Sequence, residues 1–95
     1  MNKHHMLYMV IEHFKDCDAV AVYKRFREQG RMMPDGLDYI DSWIEPGYDR
    51  CFQLMKTDDP ALFELWTANW DDLMDFEILP VVTSKETRES IGQLL

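Results

Sequence analysis

The chain has 95 residues, enough for one domain with a modest core. Its formal net charge of −8 argues against a nucleic-acid partner, because phosphate binding needs clustered Lys and Arg. No run of roughly 18 apolar residues offers a membrane span, and Cys17 and Cys51 alone give no disulfide framework.

No secretory pattern is visible, so reduced thiols in the cytoplasm are expected. Met6 is itself a plausible start, which makes residues 1–5 an N-terminal extension. His4 and His5 within it point apart in an extended chain and make no metal site. Residues 6–83 are read as the domain and residues 84–95 as a helical tail.

The first strand is expected at Leu7–Phe14, LYMVIEHF. Leu7, Met9, Ile11 and His13 share one face; Tyr8, Val10, Glu12 and Phe14 share the other. Both faces are mainly apolar, as in a central strand covered on both sides. Glu12 is then a carboxylate in an apolar row. After a turn at Lys15–Asp18, the spacing of Ala19, Val22, Tyr23 and Phe26 predicts a helix over Ala19–Gln29, ended by Gly30. Lys24, Arg25, Arg27 and Arg31 form one basic cluster, read as a solvated helix face that balances acidic surface elsewhere. Arg31–Gly36 carries a Pro-Asp-Gly turn, with Met32 and Met33 at the core edge.

A second strand at Leu37–Glu45 turns at Pro46–Asp49 into a third at Arg50–Thr57. Asp58-Asp59-Pro60 is a helix-start signal. The helix after it carries Leu62, Leu65, Trp66, Trp70 and Leu73 as its apolar stripe. Asp71, Asp72 and Asp75 stand at its C-terminal end, where the dipole disfavours anions. Phe76–Val82 is the last strand, and Pro80 marks it as an edge. Thr83-Ser84-Lys85-Glu86 is a capping box before a short tail helix, which has Ile91, Leu94 and Leu95 to bury.

The order β-α-β-β-α-β is ferredoxin-like. Connection rules give an antiparallel sheet of order 4-1-3-2 with both helices on one face. Met9, Ile11, Ile40, Ile44, Phe52, Leu54, Phe76 and Ile78 are assigned to the helix side. The other side then carries Tyr8, Val10, Glu12, Phe14, Tyr39, Asp41, Trp43, Gln53, Met55, Glu77, Leu79 and Val81. That face is too apolar for water. A second copy packed sheet to sheet would cover it.

Four stretches, LYMVIEHF, RFREQGRMMPDGLDYIDSW, DRCFQLMKTDDPALFELW and FEILPVVTSKE, resemble the small bacterial family described as domain of unknown function 3303. The family is similar in pattern to dimeric α+β barrel proteins, which implies a homodimer. The resemblance implies no activity. The wider superfamily includes cofactor-independent monooxygenases, isomerases and plain binding proteins.

The expected ligand site is a cavity on the sheet face away from the helices, lined by Tyr8, Glu12, Tyr39, Asp41, Trp43, Gln53 and Glu77. The carboxylates suit proton transfer if burial raises their pKa. Glu12 and His13 are the catalytic candidates under an enzyme reading, with the substrate supplying the reactivity. Binding without catalysis is the first reading, and a purely structural interaction module is the third. The sequence has no glycine-rich phosphate loop, no His/Cys ligand spacing and no Ser-His-Asp ordering, so neither cofactor nor metal is expected.

Overall fold

Four apolar-alternating segments pair into one antiparallel sheet in the computed structural model, which describes residues 6–95. The proposed extension at residues 1–5, with His4 and His5, lies outside the described residues. The strands are β1 (Met6–Phe14), β2 (Leu37–Ile44), β3 (Arg50–Thr57) and β4 (Met74–Val81), in spatial order β2-β3-β1-β4. That is the expected order read from its other edge. Three helices complete the fold: α1 (Ala19–Gln29), α2 (Leu62–Thr67) and α3 (Ser84–Gly92).

Local chemistry sets the element ends. A 3-10 turn at Lys15–Cys17 leads into α1, whose first amides are capped when Ala21 N donates to the Asp18 carboxylate at 3.1 Å. Gly30, at φ 71° and ψ −161°, takes a positive-φ conformation open to glycine and stops α1. Gly36 sits at φ 94°, and a Cβ there would meet Leu62 at 3.0 Å, so the backbone passes close under α2. Thr83 and Glu86 form the reciprocal capping box of α3. No residue of α3 is buried, and Ile91, Leu94 and Leu95 are exposed.

The core lies between the sheet and α1 and α2. It is built from Tyr8, Val10, Phe14 and Met55 of the sheet against Val22, Phe63, Trp66 and Trp70. Tyr8 meets the edge of Phe63, with ring centroids 5.0 Å apart.

This core inverts the expected faces of β1 and β3. Tyr8, Val10, Glu12 and Phe14 face the helices, as do Gln53 and Met55 across the β1–β3 ladder. Met9, Ile11, Phe52 and Leu54 take the outer face. Strict alternation fixes which residues travel together but not which set goes inward. The larger aromatic rings of β1 match the aromatic rings on α2. On β4 the assignment stands, with Phe76 and Ile78 packed against the core and Glu77 exposed.

Strand β2 departs from alternation. Its register against β3 shifts between Tyr39 and Asp41, so Ile40 is an extra, exposed residue. Such a bulge changes the parity of everything after it. Tyr39, Ser42 and Ile44 therefore face inward, while Asp41 and Trp43 face outward.

Helix α2 is shorter than its stripe suggested. It ends at Thr67, and Trp70 and Leu73 follow in successive turns. Leu65, expected in the stripe, is exposed, and Phe63 takes the inward position. The aspartates beyond it no longer oppose a helix dipole. Asp72 instead receives a two-pronged bond from Arg25 at 2.7 and 2.8 Å, which ties α1 to the loop before β4. One member of the basic cluster thus holds helix to loop rather than forming part of a solvated face.

Candidate functional site

The inward carboxyl of β1 finds no cation within ion-pairing distance among the described residues. Glu12 is 7 % exposed, flanked across the ladders by Cys51 of β3 and Phe76 of β4. Burial pushes its pKa from 4.5 up to about 7, against smaller lowering effects from the neighbouring Cys51 thiol and the Arg31 charge. The same burial, with Glu12 beside it, pushes the Cys51 thiol up to about 12, so Cys51 stays protonated at neutral pH.

A pocket opens beside Glu12, between the sheet and α1. Its enclosed room is about 70 Å³. The polar groups on its wall are Glu12, Gln53, Ser42, Cys51 and Arg31; Phe14, Trp66, Trp70 and Met74 supply apolar surface. Tyr23 and Phe26 of α1 also line it and are partly exposed, with centroids 6.4 Å apart in an edge-to-face pair.

Arg31 is held in place from two directions. Its backbone carbonyl accepts both indole N–H groups, from Trp66 at 3.1 Å and from Trp70 at 3.0 Å. Asn69 donates to the next carbonyl, that of Met32, at 3.1 Å. The guanidinium lies over the Tyr39 ring at 3.6 Å and over the Phe26 ring at 4.9 Å. Tyr39 is fixed in turn by a 2.6 Å hydrogen bond to Ser42, the neighbour that the β2 bulge brings inward. Among the described residues no carboxylate forms an ion pair with Arg31.

The candidates named from the sequence divide between the two faces. Tyr8, Glu12, Tyr39 and Gln53 are inward. Glu12 and Gln53 line the pocket, while Tyr8 is buried against Phe63 and Tyr39 reaches the pocket's edge through Arg31. Asp41, Trp43 and Glu77 are outward and cannot join them. His13 is outward too, hydrogen-bonded through Nε2 to Glu77 Oε1 at 2.8 Å, so it does not share a site with Glu12. The described pocket lies on the helix side, not on the face away from the helices.

Sequence reasoning missed Ser42 and the pocket-facing roles of Arg31, Cys51, Trp66 and Trp70, although it read Cys51 as a small buried residue. The signal for the tryptophans was present: spaced by four, they place two indole donors along one line. Nothing in the sequence marks the carbonyl that receives them. Among the described residues no group of three or more His, Cys, Asp or Glu side chains is arranged to hold a metal ion.

Comparison with curated proteins and with solved structures returns no match. The family defined by a domain of unknown function, DUF3303, matches residues 6–95, and the chain belongs to that family.

Proposed function

We propose that the protein binds a small molecule in the helix-side pocket. The observation that carries this reading is a nearly buried carboxyl group, Glu12, facing a stacked guanidinium across a cavity with aromatic walls. Buried polar groups are normally paired with one another. Here the acid and the base face a common space without pairing, which suits a ligand that meets both.

A thermal-shift screen of metabolites tests the reading, since a compound that binds only the folded state raises its stability. The expected result is a set of compounds that raise the melting temperature of the wild type, with shifts reduced in Gln53→Ala and Arg31→Gln. Binding unaffected by both variants would contradict it. A screen with no shift at all would favour the purely structural role.

A second reading is an enzyme that moves a proton through Glu12. It is favoured by a carboxyl pKa of about 7, where acid and base forms are both populated at neutral pH. Turnover lost in Glu12→Gln, with the fold and ligand binding intact, selects it.

The natural partner is a second copy of the chain. Met9, Ile11, Trp43, Phe52, Leu54 and Leu79 lie on the outer sheet face, and Trp43 is 53 % exposed. A two-fold pairing of this face would close two sheets on each other as a barrel. No helix among the described residues is long and apolar enough to cross a membrane; we propose a cytoplasmic location and no nucleic-acid partner.

A further inference from the structure

We infer that the pocket takes a small organic monoanion, a carboxylate on an apolar or aromatic body, with its head group bound by the Arg31 guanidinium. The inference rests on the pocket being a ligand site and names the class of ligand.

Three observations converge on it. The guanidinium is pre-positioned: two indoles pin its backbone carbonyl, and Phe26 and Tyr39 hold its plane. Order of that kind is costly for a long side chain, and a stacked guanidinium still presents its N–H groups at its edge. No carboxylate among the described residues occupies those donors. A planar carboxylate matches them with two parallel hydrogen bonds.

The rest of the wall sets the charge and shape. Among the described residues, Arg31 is the one cationic side chain lining the pocket, and Glu12 is the one carboxyl group there. A protonated Glu12 can donate to a ligand oxygen, whereas a dianion such as sulfate would carry a second charge with no second cation among the described residues that line the pocket. The enclosed room of about 70 Å³ is under half of the roughly 150 Å³ that accepts benzene. It therefore takes the head group and the first atoms of the body. The remainder leaves past Tyr23 and Phe26, whose exposed rings give it an apolar path.

This arrangement couples binding to protonation. The titratable groups facing Glu12 are Cys51 from β3, Tyr23 from α1, Tyr39 from β2 and Arg31 from the loop after α1. An anion placed beside Glu12 favours its protonated form. Affinity then falls by up to about tenfold per pH unit above the free-state pKa of Glu12. Glu12→Gln, which mimics the protonated acid, removes that dependence and retains binding.

Matched pairs of probes test the class: benzoate against benzamide, phenylacetate against phenylacetamide, with inorganic sulfate alongside. Binding is followed by NMR at the Arg31 Nε–H and the Trp66 and Trp70 indole N–H signals. The expected result is at least tenfold tighter binding of each carboxylate than of its amide at pH 6, with the preference lost in Arg31→Gln. Amides that bind as tightly, sulfate that binds in place of the carboxylates, or a preference that survives Arg31→Gln would overturn it. If neither member of a pair moves these signals but a neutral compound from the metabolite screen does, the carboxylate class fails and the pocket stands. If nothing moves them, both fail together.

Discussion

Glu12 is the residue at which fold and chemistry meet. It faces the core from near the C-terminal end of β1, and burial raises its pKa from 4.5 to about 7. Between those values the folded protein holds more protons than the unfolded chain, so this group makes stability fall as pH rises. The full effect is about 3 kcal/mol, reached above pH 7. Glu12→Gln is therefore expected to be more stable than the wild type at pH 8 by up to that amount, with the gap closing toward pH 4.5, as read from denaturant melts. Asp72 works with the opposite sign: the Arg25 guanidinium beside it holds its carboxyl below the usual range, so its contribution is present at neutral pH and lost on acidification. Glu12 was legible in the sequence as a carboxylate in an apolar strand. Gln53 was legible beside it from the strand alternation, whereas Arg31 and Ser42 were not, because Arg31 is distant in sequence and Ser42 turns inward only through a bulge.

At the scale of elements, the loop after α1 and the segment from α2 to β4 behave as one unit. Trp66, Asn69 and Trp70 donate to the carbonyls of Arg31 and Met32, and Arg25 reaches back to the Asn69 carbonyl at 3.0 Å and to Asp72. Trp70→Phe keeps most of the buried ring but removes one donor. We expect a loss of about 1–3 kcal/mol, with faster hydrogen exchange around Arg31 and weaker ligand binding. A variant as stable as the wild type would show that the Trp66 bond alone holds the loop. The existence and order of the elements were readable from period, caps and turn residues. Their inward faces were not: β1 and β3 are apolar on both sides, and alternation has no sign. The Ile40 bulge does leave a trace in LDYIDSWI, where the apolar pair Tyr39-Ile40 and the polar pair Asp41-Ser42 break the alternation, but a strict two-residue period runs straight past it.

At the scale of the whole molecule, the outer sheet face remains the largest question of solvation. Leu7, Met9, Ile11, Phe52 and Leu54 are only partly buried, and Trp43 stands in the open. A contiguous apolar face of this kind is the ground for the proposed two-fold pairing. Light scattering is expected to give twice the 11.4 kDa chain mass at micromolar concentration, and Leu54→Glu is expected to give the monomer. A wild-type monomer would remove the barrel but not the pocket, which lies within one subunit. The pocket's dependence on Glu12 is tested most directly by the carbon-13 titration of that one side-chain carboxyl group. A midpoint near pH 7, moving upward when a bound carboxylate is present, is expected. A midpoint near 4.5, unmoved by any ligand, would contradict it.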